Sequence, residues 1–204
     1  MRRDAEAMRI ALADNIFHPQ GGGQPDDRGW VENIPVSPVK DGESGWVFLT
    51  LGPGDGEAGP DFSEGATVHS RVDAEQRRLH AALHTAGHLV DALVRPWGVR
   101  HVGNNHFPGQ ARIEYALDGA EIDKDRLADA LTVELEKAVS EGLAVTAGER
   151  EGRRTITIDG LATEFCGGTH VTDLSLLTGV AIRSIKVKSG RLRVGYTAEH
   201  APRH

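Results

Sequence analysis

Apolar side chains recur at Leu79, Leu83, Ala86, Val90 and Leu93, the spacing that lines one face of an α-helix. Asp73 followed by Gln76 has the form of a capping box at its start, and Pro96 with Gly98 stops the pattern. A second helix is predicted from about Lys124 to Glu141, with Leu127, Leu131, Leu135 and Ala138 inward and Gly142 as its stop. Around and after it the period falls to two. Thr155 to Ile158, Val180 to Val187 and Leu192 to Tyr196 read as strands, the last two joined by a Ser189-Gly190 turn. Residues 8 to about 71 are instead rich in glycine and proline, with short apolar runs such as Trp46-Val47-Phe48-Leu49. That composition predicts a small β-rich module over residues 1–71, followed by an α+β domain over residues 72–204 in which antiparallel strands pack with helices.

Composition narrows the class. The 204 residues carry 23 basic and 30 acidic side chains, a formal charge of −7. Such a chain is no general polyanion binder, although local basic patches remain open to it. A single cysteine excludes an internal disulfide and fits a reducing cytoplasm. No segment has the length of a membrane span, and no apolar run follows the arginines of Met1-Arg2-Arg3. Gly52 to Pro60 reads as an exposed loop. It contains a formal G-x-G-x-x-G, but Pro60 and Gly65 stand where a phosphate-binding helix would begin, so a dinucleotide fold is set aside.

Two clusters carry the chemistry. In His84-Thr85-Ala86-Gly87-His88 the imidazoles stand one helical turn apart, about 5–6 Å at the Cβ atoms, and can face one ion. In Cys166-Gly167-Gly168-Thr169-His170 the paired glycines favour a turn that brings thiol and imidazole together. One thiolate and three imidazoles form a tetrahedral set suited to a single Zn²⁺. His80 extends the histidine stripe, and the pattern leaves it open as a support of the ligands, an unrelated surface residue or a competing ligand. Thr85 replaces the glutamate of zinc proteases, and the paired cysteines of zinc deaminases are absent. A cysteine hydrolase built on Cys166 leaves the His84/His88 pair without a role. Upstream, Phe17-His18-Pro19-Gln20-Gly21-Gly22-Gly23-Gln24-Pro25 has the look of a shaped turn whose backbone amides approach a ligand.

The two clusters together resemble the editing domain of alanyl-tRNA synthetases and the free-standing AlaX-type editing proteins. The Gly21-Gly22-Gly23-Gln24-Pro25-x-Asp27-x-Gly29 element is similar to the glycine-rich motif of the medium-length members, and Ile185 to Tyr196 is similar to the end of the editing domain. The resemblance implies a barrel-like N-terminal module, short of a strand because the motif lies close to residue 1. It implies zinc on His84, His88, Cys166 and His170, and a hydrolase acting in trans. His18 and Gln20 stand where the family has Tyr and Glu, and Asn104 near a position commonly held by Gln.

The implied reaction is hydrolysis of the aminoacyl ester at the acceptor end of mischarged alanine tRNA, with serine the main substrate and glycine a second. Such editing exists because one small group changes binding by only about 1–3 kcal/mol. Gly22, Gly23, Gln24, Thr85, Asn104 and Thr169 are the expected substrate contacts. Arg183, Lys186, Lys188, Arg191 and Arg193 crowd the C-terminal strands as expected tRNA contacts. A zinc ion lowers the pKa of its water to roughly 7. Four protein ligands nevertheless complete a tetrahedron, the pattern of a structural ion. Two alternatives therefore stand: a zinc-stabilised tRNA- or protein-binding module without hydrolysis, and an editing hydrolase for another tRNA such as the threonyl one.

Overall fold

The computed structural model describes residues 9–52 and 62–202. The expected loop of Gly52 to Pro60 lies, from residue 53 onward, outside them. The fold is α+β, with antiparallel sheets and, among the described residues, two α-helices. The chain divides into two units, Met1–Gly21 with Pro25–Arg77 and Gly22–Gln24 with Arg78–His204.

The first unit contains β1 (Arg9–Ala11), β2 (Gly29–Val31), β3 (Ile34–Lys40), β4 (Val47–Leu51) and β5 (Ser70–Val72). Their order is β1-β4-β3-β2-β5, all antiparallel. Among the described residues this is an open sheet, not a closed barrel. Both edge strands are three residues long and each pairs with one neighbour. Phe17, Val31, Val36 and Leu49 form its small core. Asp27, buried to 1% exposure, accepts from Nε of Arg77 at 2.8 Å and from the His18 amide at 2.5 Å. This acid of the glycine-rich motif thus ties two segments of the unit together.

Helix α1 (Ala74–Val94) starts at Asp73, whose carboxylate accepts from the amides of Glu75 and Gln76, both at 3.1 Å. The expected capping box is only half formed. Gln76 Oε1 accepts from the Arg28 amide, and the Asp73 amide donates to the Arg28 carbonyl. A 3-10 turn over Arg95–Trp97 ends at left-handed Gly98.

The second unit continues with β6 (Arg100–Asn105), β7 (Arg112–Ala116), α2 (Lys124–Glu141), β8 (Val145–Arg150), β9 (Arg153–Ile158), β10 (Ala162–Phe165), β11 (Leu177–Lys188) and β12 (Arg191–His200). Asp123 caps α2 and Gly142 ends it in the left-handed region, as the pattern predicts. One sheet runs β11-β12-β7-β6 and another β10-β9-β8. Ser189 and Gly190, both at positive φ, make the tight turn between β11 and β12. The inward residues Ile113, Tyr115, Leu192, Val194 and Tyr196 share one core with Leu83, Ala86 and Val90 of α1 and Leu127, Leu131 and Leu135 of α2. Among the described residues no helix is long and apolar enough to cross a membrane.

Candidate metal centre and active site

One helix and one loop supply the centre. His84 and His88 project from adjacent turns of α1, with rings stacked 5.2 Å apart and nearly parallel. Cys166 and His170 come from the loop after β10. Its start is fixed by the Cys166 amide on the Arg154 carbonyl, and its glycines by the Arg154 guanidinium on the Gly167 and Gly168 carbonyls. The ligand atoms of all four residues lie within 4.8 Å of one another. Sγ of Cys166 stands 3.4 Å from Nε2 of His84 and 3.2 Å from Nε2 of His170. Zinc bond lengths of about 2.3 Å to sulfur and 2.0–2.1 Å to nitrogen place neighbouring ligands roughly 3.5 Å apart, so the donor set fits such an ion. His88 Nε2 adds to the fit: it is buried and has no hydrogen-bond partner among the described residues.

Neighbouring polar groups set the tautomers. Gln24 Oε1 lies 2.7 Å from Nδ1 of His84 and accepts from the Thr169 amide at 3.0 Å, while its Nε2 donates to Thr169 Oγ1 at 2.9 Å. An acceptor there places the His84 proton on Nδ1 and turns the bare Nε2 toward Cys166. Thr85 does the same for His170. Its hydroxyl donates to the Ala81 carbonyl at 2.8 Å, so the oxygen accepts from Nδ1 of His170 at 3.2 Å and from the Val171 amide. Gly168 lies flush on this arrangement, since a Cβ there would collide with the His84 ring and sit 3.0 Å from Gln24 Oε1. Gly167 has open space beside it.

Burial pushes the Cys166 thiol up from its ordinary value, the Gly168 amide and Arg154 pulling the other way. Burial pushes His88 down, toward the neutral form that a ligand must have. His80, one turn before His84, is buried and stands outside the four-residue group.

Beside His88 opens a cavity of about 280 Å³, lined among others by Asp91, Asn104, His106, Glu164 and Phe165. Asp91 meets Arg95 at 2.5 Å and His101 at 3.1 Å, and Arg95 also reaches Glu164 at 2.5 Å. Burial alone raises the Asp91 carboxyl, but His101 and Arg95 outweigh it and hold the group below its ordinary range.

Of the glycine-rich residues, Gly22 and Gly23 both adopt positive φ. A side chain on Gly23 would collide with Oδ1 of Asn104, and its carbonyl accepts from the His106 amide at 2.8 Å. Among the expected substrate contacts, Asn104 lines the cavity, whereas Gln24 is engaged with His84, Thr85 with His170, and Thr169 with Gln24.

Sequence reasoning missed His106 and Tyr196. Tyr196 donates to the Leu83 carbonyl at 3.0 Å, so its oxygen accepts from Nδ1 of His106 at 2.5 Å, leaving His106 Nε2 unprotonated. The His106 ring stacks on His84 with centroids 4.3 Å apart. Burial, reinforced by His88 and His101, pushes its pKa down to about 3. Gly87 makes room for the pair, because a Cβ there would meet the His106 ring and lie 2.6 Å from the Tyr196 oxygen. A histidine closing the His101 to His106 run was the one local signal; Tyr196, on an inward strand face, offered none.

The expected basic residues divide. Lys186 pairs with Arg193 across β11 and β12, and Lys188 with Arg191, all on the exposed face of the sheet. Arg193 meets Glu114 at 3.0 Å, and Arg183 is turned onto the Gly109 and Ala111 carbonyls.

No family model matches the chain. Individual proteins do. AlaX-M of Methanosarcina acetivorans, an alanyl-tRNA editing protein, is 24% identical over 88% of this chain and 84% of its own length. Over most of its length the chain is thus similar to an AlaX-type alanyl-tRNA editing protein, and AlaX-M of Methanosarcina mazei is likewise 25% identical over 90% of this chain and 83% of its own length. The alanine–tRNA ligase of Thermococcus kodakarensis is 30% identical over 94% of the chain, which spans 23% of the ligase. The editing protein Aarsd1 of Danio rerio is 31% identical over 86% of the chain, which spans 45% of it.

Proposed function

We propose that the chain hydrolyses the aminoacyl ester of mischarged alanine tRNA, serine first and glycine second, in trans, as a free-standing editing enzyme. The observation that carries this reading is the convergence of His84, His88, Cys166 and His170 beside a cavity of about 280 Å³ large enough for a small aminoacyl group. Relatives named for alanyl-tRNA editing match most of the chain, which supports the same substrate class.

The four residues would hold a zinc ion, which when bound supplies a Lewis acid for an ester carbonyl or a water. Gln24 and Thr85 accept from Nδ1 of His84 and His170 and so direct Nε2 of each ring toward that centre. His106, fixed by Tyr196, presents an unprotonated nitrogen that accepts a hydrogen bond from the ester's ribose or from water. Asn104, which lines the cavity, would meet the serine hydroxyl. Lys186, Lys188 and Arg191 form an exposed basic face for tRNA phosphates on an otherwise acidic chain.

Deacylation rates on serine-, glycine- and alanine-charged alanine tRNA test the reading. Rapid release of serine with alanine spared supports it; equal inertness toward all three defeats it. A second reading, a binding module with a structural ion, is favoured by one observation, that four protein donors fill a tetrahedron.

A further inference from the structure

We propose that Arg150 and Arg153, held against Phe165, form a phosphate clamp beside the cavity that grips the ribose-phosphate backbone next to the ester, at the 3′ end of an RNA. This rests on the reading above that the cavity receives an RNA-borne ester.

Register brings the three together. Arg150 pairs with Arg153 at the end of the β8–β9 hairpin, and Phe165 of β10 pairs with Thr155, two residues along β9 from Arg153. Alternation puts all of them on one face of the β10-β9-β8 sheet. The Arg150 guanidinium carbon lies 4.5 Å from the centre of the Phe165 ring and that of Arg153 4.0 Å. Both arginines are exposed, and Phe165 lines the cavity with His88 and Glu164. The clamp is therefore contiguous with the candidate centre, whereas the Lys186 to Arg193 face belongs to another sheet.

Stacking on an aromatic ring fixes a guanidinium plane while its N–H donors stay free for a planar or tetrahedral oxyanion. Uncompensated charge beside the cavity adds to the geometry. Arg77, Arg95, Arg100, Arg112 and Arg193 are each neutralised by a carboxylate. Among the described residues neither Arg150 nor Arg153 meets one. Two pre-oriented, uncompensated guanidiniums in a chain with a formal charge of −7 attract phosphate. Arg154, next along β9, holds the Cys166 loop through the Gly167 and Gly168 carbonyls, so one strand carries both the centre's support and the clamp.

The test compares the wild type with the Arg150→Gln/Arg153→Gln double variant on serine-charged alanine tRNA and on the serine ester of adenosine, which has no phosphate. The expected result is a KM for the tRNA raised about tenfold or more with kcat within about twofold, and unchanged kinetics on the adenosine ester. The salt dependence of tRNA binding should flatten by about 0.7 in log–log slope for each single-strand phosphate that the variant leaves unneutralised. Unchanged KM and slope, or an equal loss on the adenosine ester, overturns the clamp. If the wild type hydrolyses no charged tRNA, the functional reading fails on its own, and the clamp is read from anisotropy with an uncharged RNA hairpin ending in CCA. There the double variant must bind about tenfold more weakly; equal binding overturns it.

Discussion

Gln24 Oε1 stands 2.7 Å from Nδ1 of His84, a residue 60 positions away in the chain. This hydrogen bond joins the glycine-rich motif to the candidate metal centre, and it gives the motif's glutamine a role in preparing a ligand. Replacing Gln24 with Ala removes the acceptor that fixes the His84 tautomer. Zinc affinity, measured by competition with a chromophoric chelator, should fall about 10- to 100-fold. An unchanged affinity would show that the tautomer is set by something else.

Gly87 lies where His106 and Tyr196 meet on α1. Gly87→Ala introduces a methyl group 2.6 Å from the Tyr196 oxygen and against the His106 ring. Overpacking of this kind costs about 1–3 kcal/mol. The unfolding midpoint should drop accordingly, although alanine improves helix propensity. A variant as stable as the wild type would contradict the close approach.

Tyr196→Phe leaves the His106 Nδ1–H and the Leu83 carbonyl without their shared partner in a buried site. The expected loss is about 1–3 kcal/mol in denaturant unfolding. His106→Ala in the same background should then cost less than it does alone, since the two residues act through one bond. Additive effects in that double-mutant cycle would separate them.

Asp91 gives a pH signature. Its folded-state pKa is held below the ordinary 3.8, so the stabilisation is fully present above that value and is lost as pH falls through the folded pKa. Asp91→Asn should lower stability at neutral pH by on the order of 1–2 kcal/mol, a figure discounted because the Arg95 side chain is 43% exposed. The gap between the thermal midpoints of variant and wild type should begin to narrow near about pH 4 and close only as the pH falls through the lower folded pKa. A gap that stays constant down to pH 2 would rule out the ion pair as its source.

Both helices were legible because burial on one side imposes a helical period on the sequence, and α2 begins and ends at its expected Lys124 and Glu141. The strands β11 and β12 were legible for the corresponding reason, with their tight turn at Ser189-Gly190. Strand β3 was not, since Pro35 and Pro38 mask it, and β8 was not, since five of its six residues are exposed. The four candidate ligands could be named from spacing alone because donor chemistry restricts the residue types. Their supports could not. Thr85, Thr169 and Gln24 read as polar groups awaiting a substrate, and only tertiary geometry shows them bonded to the ligand residues or their loop. The His106–Tyr196 bond spans 90 positions and left no trace in local pattern.

The most direct measurement follows deacylation of serine-charged alanine tRNA by the metal-free protein, with circular dichroism recorded on the same sample. Chelation should abolish hydrolysis while the helices persist, zinc should restore it, and Cys166→Ala should stay inactive with zinc present. Full activity in the chelated protein, or in Cys166→Ala, would contradict a hydrolytic centre on His84, His88, Cys166 and His170.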